Sequence, residues 1–567
     1  MPLKPGVREG EGHYYAGRWV ARVHGKVVAQ GTTRQEAYDS AHASRPKEKL
    51  ELILMSPIFD HPLLKAVREL LPADQPLYLV GGALRDSLLG NPTHDLDFAV
   101  PSGALKLARR IADQLSVPDR TAAFYPLDPQ TDTARIVVRG AQGAREMLDF
   151  SGFRGADLLE DLRGRDFSIN ALAMDVHTGE TLDPLGGGRD LREKRIRACS
   201  ESSLVDDPLR ILRAVRLAAA FGFSIQAETR KQMKAAVPLL PAVSPERRRD
   251  ELFKILEGPR PDTSIRALEL LGALPLLLPE LPLLKGVAQS APHVYDVWTH
   301  TLAVLRHLDG ILALLTPAYN EVKGNADLFN ALLVLRLGRY RKQIDEHLGA
   351  GLNPDRSARA LLFFAALYHD AAKPATRTVE ETGRIRFLGH DELGAAVVVE
   401  RGRALRLSTE ELERLKIIIR YHMRVHFHTS RQIAEGKQPT RKAIYRFFRD
   451  SGSAGVDLVL LALADFRATY DHTLSQAQWE ACLEVSRLFL EAWFEKADEM
   501  VSPPQLLNGD GLIAELKMTP GPEIGHLLEL IKEEQVMGHF STREEALAFA
   551  RGWLASEQLN KDRPKSK

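Results

Sequence analysis

Leu77 to Val100, reading LYLVGGALRDSLLGNPTHDLDFAV, constrains the fold more than any other stretch of this chain. An apolar run, Leu77-Tyr78-Leu79-Val80, stops at Gly81-Gly82 and continues as a helical turn from Ala83 to Leu89 that Gly90 ends. The chain then re-extends through Asp95-Leu96-Asp97-Phe98-Ala99-Val100, where alternation puts both carboxylates on one face and Leu96 and Phe98 on the other. The pattern predicts strand, glycine turn, helix, strand. Two carboxylates side by side repel, which divalent cations relieve, and a glycine pair lets backbone N–H groups approach a phosphate with no side chain between. Alone, a Gly-Gly is a turn and an Asp-x-Asp a solvated strand end. Their order and spacing point to metal-assisted nucleotidyl transfer.

Further along, Ala134 to Arg139 and Arg145 to Phe150 read as strands, with Asp149 at the end of the second. A third carboxylate there would complete a two-metal ligand set and help deprotonate an attacking hydroxyl. The run Glu160-Asp161-Leu162-Arg163-Gly164-Arg165-Asp166-Phe167-Ser168-Ile169-Asn170-Ala171 follows, in which Arg165 can pair with phosphate and Asn170 can hydrogen-bond a ribose hydroxyl. Asp206-Asp207-Pro208 then opens a helix on which Arg210, Arg213 and Arg216 recur every third residue as a basic stripe, with Pro208 in its first turn. Another helix starts at Ser244-Pro245 and carries Glu246 and Arg249 one turn apart.

These runs carry a resemblance. Gly81-Gly82-x-x-Arg85-Asp86 followed by Asp95-x-Asp97 resembles the active-site signature of the DNA polymerase beta-like nucleotidyltransferases. Within that superfamily the chain resembles the bacterial class II tRNA nucleotidyltransferase and poly(A) polymerase family, the CCA-adding type, with Ser168 in place of the family's usual Thr. The resemblance spans roughly residues 77 to 551 and implies an α+β fold: a nucleotidyltransferase head with a mixed five-stranded sheet, an all-helical neck and body, a helical HD domain and a helical tail. It implies attack of an RNA 3′-hydroxyl on the α-phosphate of CTP or ATP, with Asp95 and Asp97 holding two Mg²⁺ and Asp149 as third carboxylate. Gly81, Gly82, Arg85, Asp86, Arg165, Asp166, Asn170, Asp207, Arg210 and Arg213 would bind the nucleotide. In relatives an acid and an arginine at the spacing of Glu246 and Arg249 read the base of the incoming nucleotide, although the acidic dipeptide of some members is missing there.

From residue 286 on the histidines are the signal. His300, His369-Asp370, His390, His422 and Asp465 lie in separate segments, a distribution that suits one or two divalent metals activating water for phosphoester hydrolysis. The ordered set resembles the HD phosphohydrolase domain, with a metal of unassigned identity.

At 567 residues several domains are expected. The divisions read from the sequence are 1–55, 56–200 (head), 201–285 (neck and body), 286–475 (HD) and 476–567 (tail). The first is a small module of unassigned role: strands at Arg18–Val23 and Lys26–Ala29 meeting at His24-Gly25, a helix over Thr33–Ser44 and a strand over Leu50–Met55. Lys+Arg of 76 against Asp+Glu of 75 excludes a global electrostatic pull on nucleic acid, so RNA contacts must come from local basic patches. Two distant cysteines, Cys199 and Cys482, indicate neither a disulfide framework nor a zinc knuckle, and with no signal peptide or membrane span in sight a cytoplasmic protein with no membrane partner is expected. The basic tail from Lys561 reads as disordered, and the sequence leaves oligomeric state open.

The favoured activity is template-independent addition of C, of A or of both to a tRNA 3′ end, from CTP and ATP. A poly(A) polymerase, a protein whose main activity is HD phosphohydrolysis, and a non-catalytic RNA binder are the alternatives. Full CCA-adding relatives carry a flexible loop between the third-carboxylate strand and the Arg165-Asp166 run; here Ser151 to Leu159 is too short for a lever across the cleft. Partial addition, CC or terminal A, is therefore expected unless Asp128 to Gly143, with Arg135 and Arg139, supplies the lever instead.

Overall fold

The computed structural model describes residues 19–561 except 25, 32–33, 55, 94, 118–119, 141–144, 320–326 and 354–355. Expectations at Tyr14 to Arg18, Gly25, Thr33, Met55, Gly143 and the tail beyond Lys561 lie outside the described residues. The chain divides into two compact units at Leu240/Pro241, and each is described by itself.

The first unit opens with β1 (Trp19–Val23), β2 (Lys26–Gly31) and β3 (Glu51–Leu54), an antiparallel sheet in the order β2-β1-β3. A helix over Arg34–Ser44 covers it, with Ala21, Ala29 and Ala41 closing a small core. The head sheet follows: β4 (Tyr78–Val80), β5 (Asp95–Val100), β6 (Arg120–Asp128), β7 (Thr133–Gly140), β8 (Arg145–Gly152), β9 (Ala173–Asp175) and β10 (Thr181–Leu182). Its order is β10-β9-β4-β5-β8-β7-β6. Only β5 and β8 pair in parallel, so the sheet is mixed, but it has seven strands rather than five. The sequence hides the others: β9 and β10 are too short for a period-two signal, and β6, at the edge, buries no residue fully.

One face of this sheet is closed by the helix Ala104–Leu115, whose Leu107, Ala108, Ile111, Ala112 and Leu115 repeat at three and four residues and are buried. Leu96, Phe98, Ile136, Val138, Leu148 and Phe150 supply the opposing core, with Phe98 and Phe150 stacked at 4.8 Å. Asp132 accepts the Ala104 and Leu105 N–H groups at 2.8 and 3.0 Å, which fixes the start of that helix and ties the β6–β7 turn to it. With the apolar residues of β5 and β8 spent on this face, Asp95, Asp97 and Asp149 are left on the other.

The second unit is almost wholly helical, and several of its helix starts carry side-chain caps: Ser244, Asp296, Ser357 and Thr440 each accept the N–H three residues on, and Ser408 and Ser475 complete capping boxes. Pro245 is the first residue of its helix, as expected. The segment 506–550 has a core of its own around Leu512, Leu527, Ile531 and Leu547. Among the described residues no helix is long and apolar enough to cross a membrane.

Candidate functional site

In the head, Gly81 is the pivot. Its φ of +79° is a conformation side chains rarely adopt, and a Cβ placed on it would stand 3.0 Å from Asp97 Oδ2 and 3.5 Å from Arg165 Nη1. The glycine turn between β4 and the helix Gly82–Leu88 therefore sits directly against the second carboxylate and the motif arginine. Arg165 spends Nε and Nη2 on buried Asp161, at 3.1 and 2.9 Å, which leaves Nη1 directed at the turn. Burial, then the neighbouring carboxylates of Asp149 and Asp95, raise the Asp97 pKa despite Arg165. Such a cluster fits a divalent cation, which would reverse the penalty on the ionised form.

Asp149 lies on β8 in register with Asp97 on β5, as the sequence suggests. Both its oxygens, however, are held at 2.8 Å by Arg135 from β7. The head carboxylates are accordingly not among the groups of three that close up tightly enough to share one ion in the described structure.

The other expected nucleotide ligands fall into two kinds. Arg85 makes a two-pronged pair with Asp86 at 2.9 and 2.7 Å and donates to Asn170 Oδ1 at 2.5 Å, while Asn170 donates to Asp166 Oδ1 at 2.9 Å. These buried groups knit the glycine-turn helix to the Asp166–Asn170 run. The three-arginine helix is not a free stripe: it begins at Arg210, after Pro208 rather than with it, Arg210 donates to the Gly164 and Arg165 carbonyls at 2.8 and 3.0 Å, and Arg213 pairs with Asp166 at 2.8 Å. Arg210 and Arg213 thereby hold the motif run in shape. Burial pushes Asp166 up, but Arg213, Asn170 and the Phe167 N–H outweigh it and hold the carboxyl below its ordinary range. Ser168 is buried with its hydroxyl on Asp190 at 2.6 Å, so it serves the fold.

Glu246 and Arg249 lie in the second unit, on the helix Pro245–Glu257. There Arg249 is committed to Asp250 at 2.8 Å and to the Arg406 carbonyl at 2.6 Å, and Glu246 stands 4.0 Å from Arg406. Asp207 and Arg210 share the spacing and lie in the first unit, where Arg210 donates to the Arg165 carbonyl.

The histidines converge. Helices bring His300, His369 and Asp465 into one buried group and Asp370, His390 and His422 into another, each with ligand atoms within 4.8 Å of one another. Asp370 stands between them, Oδ2 3.2 Å from His369 and 3.7 Å from His300, Oδ1 3.6 Å from His390. His369, His390 and His422 each place Nδ1 at 2.6–2.7 Å from the carbonyl three residues earlier, on Ala366, Phe387 and Ile419. A carbonyl only accepts, so the proton sits on Nδ1 and the Nε2 lone pair faces the cluster. Two such lone pairs, on His390 and His422, then meet at 3.2 Å, a repulsion that a cation between them removes. His369 Nε2 and His300 Nε2 are buried without a hydrogen bond. The residues fit metal.

Burial first, then His390 and His369, push His422 down to about 3, while Asp370 overcomes burial to raise His369. Burial alone would raise Asp370 and Asp465, but the histidines around them hold both well below the carboxylate range. Four neighbours escaped the sequence reading. His426 Nε2 lies 2.8 Å from Asp465 Oδ2, Lys373 Nζ lies 2.7 Å from both Asp370 and Gln289, and His293 packs edge-on against His300. The one-turn spacing of His422 and His426, and of Asp370 and Lys373, was the available signal.

A mixed sheet with a glycine turn backed on paired carboxylates, followed by helical units, defines a nucleotidyltransferase of the polymerase beta-like class. Residues 77–197 match the family described as "Poly A polymerase head domain", 222–284 "Probable RNA and SrmB- binding site of polymerase A", and 334–451 "HD domain". The chain is 33% identical over 487 residues to a CC-adding tRNA nucleotidyltransferase of Thermus thermophilus, covering 84% of this chain and 94% of that one. It is 32% identical over 482 residues to an A-adding tRNA nucleotidyltransferase of Deinococcus radiodurans, 84% of this chain and 95% of that one. It belongs to the tRNA nucleotidyltransferase and poly(A) polymerase family and is an enzyme of it. The fold is shared with a CCA-adding enzyme solved with ATP (TM-score 0.56, 22% identity, 87% of this chain, 96% of that one) and with the Thermotoga maritima CCA-adding enzyme solved with tRNA (0.52, 22%, 87%, 96%). His300 and Asp465 fall outside the 334–451 match, and the structure brings both to the HD cluster.

Proposed function

We propose that the chain adds nucleotides from CTP or ATP to the 3′ end of tRNA, and that it stops after CC. The observation that carries nucleotidyl transfer is Gly81 backed against Asp97 and Arg165. The glycine turn and Arg165 Nη1 would bind the triphosphate, and Asp95 and Asp97 would hold two Mg²⁺. Bound there, the ions would neutralise the triphosphate and make the RNA hydroxyl a better nucleophile. The 3′-oxygen bonds to the α-phosphorus as the bond to the β-phosphate breaks, and pyrophosphate leaves. Asp149 completes the carboxylate row only by releasing Arg135. For reading the base there are two acid–arginine pairs, Asp207 with Arg210 and Glu246 with Arg249, and in each the arginine also holds backbone carbonyls.

Stopping after CC rests on the connection between Gly152 and the helix Leu158–Arg163. Five residues span it; Phe153 donates its N–H to the Val100 carbonyl at 2.8 Å and Asp157 caps the helix. No lever is left. In the described part of its rival, Asp128 to Gly143, Asp132 and Arg135 are committed to the Ala104 N–H and to Asp149. Three relatives spanning more than four-fifths of the chain are CC-adding enzymes.

A second reading, metal-dependent phosphoester hydrolysis, is favoured at the HD cluster by its six converging ligands, His300, His369, Asp370, His390, His422 and Asp465. The test of the first is pyrophosphate release from CTP with a tRNA transcript lacking its three terminal nucleotides. Release by the wild type and its loss in Asp95→Asn is expected; release unchanged in that variant contradicts the assignment.

A further inference from the structure

The face that carries the carboxylates does not end at Asp149. Cα pairing continues the row across the sheet, from Asp97 on β5 to Asp149 on β8, Arg135 on β7 and Tyr125 on β6. Directly paired residues point to the same face. Thr121, Ala123 and Tyr125 are therefore on the active face, and all three are exposed, Tyr125 at 50%. The apolar side of β6 is turned away, where Phe124 packs beneath Arg109 at 4.3 Å.

Further along the same face, Arg139 on β7 stands directly opposite Arg145 on β8. Both are exposed, and among the described residues neither is in an ion pair. Like charges placed opposite one another on neighbouring strands destabilise a sheet unless an anion lies between them. At about 3.3 Å per residue and 4.8 Å per strand, Arg145 lies roughly 8 Å and Arg139 roughly 12 Å from Asp95, and Tyr125 roughly 14 Å from Asp97. Stacked nucleotides rise by about 3.4 Å, so the last distance is about four steps.

We propose that this open face of β8, β7 and β6 is the track for the single-stranded 3′ end of the RNA. Arg139 and Arg145 take backbone phosphates, and Tyr125 stacks on a base about four positions from the reacting hydroxyl. The occupant is nucleic acid rather than protein because the patch is cationic with one projecting aromatic ring and runs on from the carboxylates where the strand must end. The proposal rests on the nucleotidyltransferase reading above.

The test uses the full chain and an RNA ending before CC, with 2-aminopurine at each of the last five positions in turn. Wild type and Tyr125→Phe quench the fluorescence at one internal position, and Tyr125→Ala loses that quenching and binds the RNA about tenfold more weakly. Arg139→Gln and Arg145→Gln each lower the salt dependence of RNA binding by about one counterion. The KM for CTP is unchanged in all three loss-of-contact variants. Equal quenching in wild type and Tyr125→Ala overturns the track, as does a rise in the KM for CTP without weaker RNA binding, which would place the triphosphate on the arginine pair. Since quenching and binding need no turnover, failure of the nucleotidyltransferase reading shows separately, as absence of addition by the wild type.

Discussion

A single missing Cβ decides how closely the glycine turn approaches the carboxylate strand. Replacing Gly81 with Ala would force a carbon to within 3.0 Å of Asp97 Oδ2 in a backbone conformation that disfavours it. Asp97 itself carries strain of another kind. A carboxyl whose folded pKa is raised weakens the fold above that pKa and ceases to do so as pH falls through it. Asp97→Asn should therefore raise the melting temperature of the metal-free protein at neutral pH by about 1–3 °C while lowering addition by more than about 10³-fold. Thermal melts with and without Mg²⁺ check this, since only the wild type should gain from the ion. Asp166 runs the other way. Its depressed pKa contributes stability that is present above the unfolded value and lost as pH falls through the folded one. Asp166→Asn should cost about 2 kcal/mol at pH 7, and urea titrations should show the gap to wild type closing below about pH 3.9.

At the scale of elements, the legible parts were those whose signal is local. The glycine turn and the carboxylate strand stand where the period of their apolar residues puts them, because each buries one face against a single partner layer. The histidines and aspartates that converge in the second unit were legible as residue types in order. Edge strands β6 and β10 were not, since a strand that buries little has no alternation to read. Partner choice was equally hidden: nothing local says that Arg135 will close on Asp149, that Arg213 will turn inward to Asp166, or that His426 will reach Asp465. The helix Met423–Glu435 brings that last contact, with His422 just before its start and His426 one turn on. A group holding the free oxygen of a ligand carboxylate fixes its orientation, so His426→Gln should weaken metal retention by about 10–100-fold, read by metal content after dialysis against a graded chelator. The same variant should leave nucleotide addition untouched.

On the scale of the whole molecule the chain carries two candidate sites, one in each compact unit, and their chemistry should be separable. His369→Ala with Asp370→Ala should abolish any metal-dependent phosphoesterase activity and spare nucleotide addition; loss of both in a variant with wild-type circular dichroism would contradict that independence. The head gives the account its central claim: a nucleotidyltransferase whose short connection after β8 fixes its pocket in one state. One measurement bears on this most directly. A tRNA transcript lacking its three terminal nucleotides is incubated with the pure protein, CTP and ATP together, and the 3′ ends are sequenced. The account predicts ends extended by two C residues and no further. A complete CCA end made by this protein alone, or a run of A residues, would contradict it.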